Sequence, residues 1–327
     1  MKYIEHGSGG TPECMHIAEG AAPTPGPGQI LIEVAYAGVN RPDVLQRSGR
    51  YQPPVDASPI LGLEVAGRVA ALGAGVTEWK VGDSVTALTP GGGYAEYCTA
   101  PAAHALPIPA GMDLATAACL PENWFTVWAN LTLHGHLAAG ERILIHGGSS
   151  GIGLTAIQLA RHIGAECIAT VGSDEKAEFC KNFGAQHTIN YRSTDFAEEV
   201  MQFTGGEGVD VVLDMVGAPY VKSNLSVLKR DGRLVIVAFL EGSVGEVDLM
   251  PVMIKRLTIT GSTMRPRTLA EKQELRDALQ KEIWPAMESG RIHTHLFARC
   301  PLAEAAEAHR LMESSKHVGK IVLQVKM

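Results

Sequence analysis

Apolar residues along this chain change their spacing at about residue 120 and again after residue 260. In the first stretch they alternate. Residues 29–37 (QILIEVAYA) step between apolar and polar in strand fashion, behind the prolines at 23, 25 and 27 that mark an extended lead-in. Residues 62–73 (GLEVAGRVAALG) and 83–88 predict further strands, with Val81-Gly82-Asp83 as a turn signal. Gly91-Gly92-Gly93 turns into another strand at 94–97. Long helical patterns are few, so this part predicts a compact β module. From Arg142 the spacing alternates between strand and helix. Apolar runs at 143–145, 166–171, 187–190, 209–216, 233–239 and 257–260 predict six strands. Helices are predicted at 174–183, 195–203 and 220–228, the first two ending at glycines. Apolar strands separated by helices imply a parallel sheet covered on both faces. The last part predicts a long amphipathic helix over 268–289, broken at Pro285, then a helix over 302–314 and a strand over 321–325. That strand needs a sheet, and the N-terminal β module is its expected host, which makes that domain discontinuous.

The first strand of the α/β part runs into Gly147-Gly148-Ser149-Ser150-Gly151-Ile152-Gly153 and then into a helical pattern with Leu154, Ile157 and Leu159. Strand, glycine turn and helix is the context in which a glycine cluster binds a dinucleotide. The missing Cβ atoms let the backbone approach a pyrophosphate, and the helix start offers it unpaired N–H groups. A full G-x-G-x-x-G would need glycine at 148, 150 and 153, and position 150 is serine. The ligand crevice is expected at the carboxyl ends of the strands. An NAD site places an acid there, at the end of the second strand, to grip the ribose 2′-OH. Here the position is Gly172. Ser173 can donate a hydrogen bond, Lys176 brings positive charge and Tyr191 can cover the same region, which favours NADPH. Asp174 and Glu175 fit as acids opening a helix.

Composition narrows the partners. A chain of 327 residues suggests two domains. A net charge of −7 invites neither nucleic acid nor an anionic membrane surface. The cysteines at 14, 98, 119, 167, 180 and 300 form no C-x-x-C pair, which points to reduced thiols and a cytoplasmic setting. No signal-peptide core opens the chain and no apolar run reaches membrane-spanning length. His134-Gly135-His136 and His293-Thr294-His295 each lack a nearby third ligand, so they read as loop histidines and no metal is expected.

The segments AGVNRPDVLQRSGRY, ILGLEVAG, GGGYAEY, PENWFTVW, HGGSSGIG, VGSDEK, INYR and HVGKIVL together resemble the medium-chain dehydrogenase/reductase superfamily, in its zinc-free quinone oxidoreductase branch. NRPDVLQRSGRY and GSTMRPR are similar to the p53-inducible quinone reductase-like subgroup. The resemblance implies an α/β chain with a GroES-like β-rich substrate domain (1–121 and 264–327), a Rossmann doubly wound parallel sheet (122–263) and an active site in the cleft. The superfamily's zinc enzymes carry Cys where this chain has Asn40 and His where it has Leu63, and neither residue here replaces a zinc-binding thiolate or imidazole. The resemblance places Asn40, Tyr51 and Thr126 near the nicotinamide. Asn40 and Tyr51 would hydrogen-bond the acceptor oxygen, with Asp43 orienting them. Gly148, Ser149, Ser150, Gly151, Ile152 and Gly153 would hold the pyrophosphate, and Phe239 and Leu240 would border the nicotinamide. Arg265, Gly319 and Lys320 would complete the cofactor cleft, although Gly319 also fits a plain turn before the last strand. Trp124, Phe125 and Trp128 favour core packing over substrate stacking. A homodimer through the sheet edge near 257–262 is implied. Three functions stay open: an NADPH:quinone reductase, a reductase of activated C=C bonds (enones) with Tyr51 as proton donor, and a non-catalytic NADPH sensor.

Overall fold

In a computed structural model describing residues 1–326, the chain folds as two compact units. One comprises residues 1–125 and the chain from 265 onward, the other residues 126–264. The first unit contains β1 (Lys2–Glu5), β2 (His16–Glu19), β3 (Gln29–Val39), β4 (Glu64–Leu72), β5 (Ser84–Leu88), β6 (Tyr97–Pro101) and β7 (Ala105–Pro107). The second contains β8 (Arg142–Ile145), β9 (Glu166–Val171), β10 (His187–Asn190), β11 (Val209–Asp214), β12 (Leu228–Ile236) and β13 (Thr258–Gly261). β14 (Leu296–Pro301) and β15 (Lys320–Gln324) return to the first unit.

A seven-stranded sheet in the order β14-β15-β3-β4-β5-β7, with β6 also on β3, builds the first unit. β3 buries Ile30, Ile32 and Val34 on one face, as its alternation predicts, and these fill a core with Val65, Val85 and Leu323. Burial contributes about 1.5–3 kcal/mol for each such fully buried branched side chain. β15 pairs antiparallel with β3, Ile321 opposite Val39, so the N-terminal module hosts the terminal strand. The strand expected at 94–97 starts only at Tyr97, because Tyr94 and Ala95 are buried in the preceding turn and Ala95 bridges Tyr3. β1, β2, β14 and the helix Arg41–Arg47 are not evident from the pattern. β1 and β2 together bury Ile4 alone and so show no alternation. The helix expected over 268–289 divides into Leu269–Glu282 and Trp284–Glu288, with Pro285 in the first turn of the second, where a missing N–H costs no helical hydrogen bond.

The second unit is an all-parallel sheet in the order β10-β9-β8-β11-β12-β13, the doubly wound dinucleotide-binding arrangement. Leu144 of β8 lies opposite Ile168 and Val212, all fully buried. The strand order reverses between β8 and β11, the place where doubly wound sheets have their ligand crevice, at the carboxyl ends of the strands. The helices Gly151–Ile163 and Asp174–Phe183 both end at left-handed glycines, Gly164 and Gly184. β12 begins earlier than expected and stops at Ile236, leaving 237–239 in the following connection.

Candidate active site

In the second unit the glycine turn passes from β8 into a helix of thirteen residues. Ser150 stands where the dinucleotide pattern has glycine, and its extended backbone needs none. Its Oγ accepts the Gly153 N–H at 3.0 Å and caps the helix. Gly153 is different: a Cβ there would lie 2.3 Å from the Gly147 carbonyl oxygen. Gly148, Ser149 and Gly153 are buried, while Ser150, Gly151 and Ile152 are partly accessible at the positive helix end. At the end of β9 a Cβ on Gly172 would lie 2.8 Å from the Tyr191 hydroxyl, so a longer residue would displace the tyrosine. Ser173 caps the next helix, accepting the Lys176 N–H at 3.3 Å. Asp174 accepts from the Asn190 side chain at 2.8 Å, which commits it to the end of β10. Burial, followed by the charge of Arg192, lowers the pKa of Lys176. Gly172, Ser173, Lys176 and Tyr191 therefore gather at one strand end with a second cation, Arg192, which the sequence reading passed over although it directly follows Tyr191. Phe239 and Leu240 are about half exposed on the connection after β12. Thr126, on the helix Pro121–Trp128, is partly accessible, and its carbonyl accepts from Asn130 Nδ2 at 2.9 Å.

In the first unit Asn40 ends β3 and caps the helix Arg41–Arg47. Asp43 accepts the Asn40 N–H at 2.8 Å and the Gly62 N–H at 3.0 Å, pinning two chain segments together. Lys320 Nζ donates to Asn40 Oδ1 at 2.5 Å and to Glu64 Oε1 at 2.6 Å, and Asn40 Nδ2 donates to the same Glu64 oxygen at 2.9 Å. Glu64 Oε2 accepts the Glu122 N–H at 2.9 Å. Burial works against the Lys320 charge, but the Glu64 carboxylate raises its pKa overall. Burial pushes Asp43 up to about 6, although its two backbone donors pull it down. Glu122, partly accessible as a residue, is pushed up to about 8 by burial of its carboxyl and then by Glu64 and Asp43. Glu122 therefore holds a proton at neutral pH. Tyr51, whose pKa is raised by burial, has the Arg265 guanidinium 5.4 Å from its ring centre.

These placements correct part of the expected site. Lys320 is 3% exposed and its ammonium is bonded to Asn40 and Glu64. Arg265 is likewise turned inward. Its Nη1 donates to Gln46 at 2.7 Å, and Nε and Nη2 donate to the Pro90 carbonyl. Gly319 is the turn before β15, where a Cβ would lie 2.4 Å from the His295 carbonyl oxygen. Asn40 keeps one amide N–H for an acceptor. Trp124 and Phe125 are buried core residues. The sequence reading also missed Glu64, Glu122 and Lys272, whose Nζ is 2.8 Å from the Arg265 carbonyl. An acid opening a strand whose next three residues are all non-polar was the available signal for Glu64.

A zinc ion does not suit this pocket. The Asn40 amide is already engaged by Lys320 and Glu64, an ammonium supplies the local positive charge, and Leu63 is apolar and buried. Among the described residues no group of three or more His, Cys, Asp or Glu side chains is arranged to hold a metal.

Residues 26–110 match the alcohol dehydrogenase GroES-like domain, and residues 151–281 match the domain described as zinc-binding dehydrogenase. The quinone oxidoreductase of Lama guanicoe is 34% identical over 100% of this chain and 98% of its own length. The chain belongs to the quinone oxidoreductase-like medium-chain dehydrogenase/reductases. The Escherichia coli quinone oxidoreductase complexed with NADPH superposes with a TM-score of 0.89 at 32% identity, covering 99% of this chain and 100% of that one. The CurK enoyl reductase superposes with a TM-score of 0.86 at 31% identity, covering 99% of each chain. Other relatives are much longer. The chain spans 14% of the length of the phthioceranic/hydroxyphthioceranic acid synthases of Mycobacterium bovis and Mycobacterium tuberculosis, to which it is 36% identical over 92% of its own length.

Proposed function

We propose that the chain is an NADPH-dependent, zinc-independent oxidoreductase acting on a quinone or a similar electron-poor acceptor. The observation that carries the cofactor half is the end of β9, where a glycine replaces the ribose-gripping acid and Lys176 and Arg192 lie together. When bound, the reduced nicotinamide supplies a hydride, the chemistry the protein lacks. The backbone N–H groups of Ser149–Gly153 bind the pyrophosphate, and Lys176, Arg192, Ser173 and Tyr191 bind the 2′-phosphate. Phe239 and Leu240 exclude water from the nicotinamide side. The free N–H of Asn40 and the Tyr51 hydroxyl stabilise negative charge developing on the acceptor oxygen. Asp43 holds Asn40 in place.

A quinone already accepts hydride readily, and Asn40 in place of a metal ligand suits that chemistry. The enone reading has its own support in the protonated Glu122 beside Tyr51, since a C=C reduction needs a proton as well as a hydride, and in the likeness to an enoyl reductase. Oxidation of NADPH measured separately with quinones and enones decides between them. Tight NADPH binding without turnover on either would leave the sensor reading. We further propose a homodimer through β13, the terminal strand of its sheet. Its Ile259 is exposed, as are Leu249, Met250, Met253 and Ile254 nearby in sequence, an apolar surface suited to a second copy. Sedimentation equilibrium tests this.

A further inference from the structure

The crevice of the second unit sits on a buried polar chain that the chemistry above does not use. His146 directly follows β8, is fully buried, and is clamped edge-on by Phe196 and Tyr220 with ring centres 4.8 and 4.9 Å away. Its Nδ1 lies 3.0 Å from Thr170 Oγ1 on β9, and its Nε2 lies 2.7 Å from Asn224 Oδ1. Asn224 Nδ2 donates to Asp214 at the end of β11 at 3.3 Å. The proton positions follow from the far end. A carboxylate only accepts, so Asn224 turns its NH₂ to Asp214 and its oxygen to His146. His146 therefore carries its proton on Nε2, and its Nδ1 accepts from the Thr170 hydroxyl. Asp214 in turn accepts the Val216 N–H at 2.7 Å and the Gly217 N–H at 3.3 Å. The connection after β12 is bonded onto this turn: Leu240 N–H to the Met215 carbonyl at 3.1 Å, Glu241 N–H to that of Val216 at 2.9 Å, and Ala218 N–H to that of Gly242 at 2.9 Å. Gly217, at φ 100°, lets the two segments touch, since a Cβ there would lie 2.4 Å from the Gly242 oxygen.

We propose that Thr170–His146–Asn224–Asp214 is a positioning relay: it spans the strand pair where the sheet order reverses and fixes the seat that holds Phe239 and Leu240 at the crevice. These are positioning residues, and their service to NADPH binding rests on the function proposed above. The relay couples the floor of the glycine turn to the loop on the other side of the switch point. Asn224 and Asp214 give a change at Thr170 or His146 a side-chain route to the loop, beside the backbone pairing of β8 with β11.

The test is hydrogen exchange of the full chain without any dinucleotide, read by mass spectrometry. Asn224→Leu, which keeps the size and removes both links, should speed exchange at 240–242 about tenfold, the loss of one net hydrogen bond, while β12 and β13 keep wild-type rates. His146→Gln in the otherwise wild-type chain, whose amide can donate to Asn224, should keep most of the wild-type protection. The NADPH dissociation constant, read by nicotinamide fluorescence, should rise about tenfold in Asn224→Leu and stay near wild type in His146→Gln. Should Asn224→Leu fail to fold, Thr170→Val should give a smaller change of the same direction at 240–242. Unchanged exchange at 240–242 in a folded variant, or a uniform rise across the sheet, would overturn the relay. Wild-type protein that does not bind NADPH would sink the cofactor reading and leave the loop assignment standing.

Discussion

Replacing Lys320 by methionine removes an ammonium from a site with almost no water. Glu64 is fully buried and Lys320 is 3% exposed. The methionine fills much of the space but returns none of the charge. Glu64 Oε1 keeps only the Asn40 amide, Oε2 keeps the Glu122 N–H, and Asn40 Oδ1 is left without its donor. Removing one partner of a buried ion pair costs about 3–5 kcal/mol, because the remaining charge must be neutralised or re-solvated. The intact pair itself contributes little net stability, since each ion gave up its hydration to enter. Glu64→Gln alone should cost about as much, about 3–5 kcal/mol, since the buried Lys320 ammonium keeps oxygen acceptors but loses its counter-charge. The double variant Glu64→Gln with Lys320→Met should be no worse than Lys320→Met alone, a strongly non-additive cycle. Urea unfolding of the four proteins, followed by circular dichroism, measures all three differences. A Lys320→Met cost below about 1 kcal/mol, or simple additivity, would refute the buried-pair reasoning.

Lys176→Ala and Arg192→Ala should each weaken NADPH binding about tenfold or more, the worth of a charge-assisted phosphate contact, and leave NADH nearly unchanged. An unaltered ratio of the two dissociation constants would remove the phosphate assignment. Ser150→Ala deletes the cap that receives the Gly153 N–H and should cost about 1 kcal/mol, whereas Ser150→Gly should cost a few tenths; equal unfolding midpoints for both would count against it. His309 has its pKa pushed down to about 3 by burial and then by Arg47, against 6.5 ordinarily. The unfolded chain then binds a proton that the folded chain refuses, so its contribution is fully present above pH 6.5 and is lost as pH falls from there toward about 3. His309→Gln should flatten the stability–pH slope in that window by at most ~1.4 kcal/mol per pH unit, and an identical slope would contradict it. With an acceptor that needs a proton, the wild-type rate should fall as pH rises through about 8, where Glu122 ionises. Glu122→Gln should lose that limb, and a retained limb would assign it to another group.

Local physics explains why some of this was legible in the chain. The start of the helix after β9, its glycine stop at 184, and the strands at 143–145 and 166–171 all depend on residues within a few positions of one another, so the patterns disclosed them. A parallel sheet followed from the alternation of strand and helix patterns, while its doubly wound arrangement came with the family resemblance. Lys320 shows the opposite case. Gly319-Lys320 before an apolar run reads as a turn with a cation free for a cofactor. Its real partners, Asn40 and Glu64, are 280 and 256 positions away, and only the pairing of β15 with β3 brings them together. Arg265 was misplaced for the same reason, being held by Gln46 across 219 positions. Asp214 and His146 were hidden differently: Asp214 closes β11 inside a run that the pattern carries on to 216, and His146 directly follows β8, so neither stands out as a partner of the other. Buried in a parallel sheet, such a residue must find a hydrogen-bond partner or lose about 1–3 kcal/mol. A buried polar residue closing a strand of a parallel sheet therefore signals a partner on a neighbouring element. In this chain that rule leads from Asp214 to Asn224 and His146, and so to the floor of the crevice.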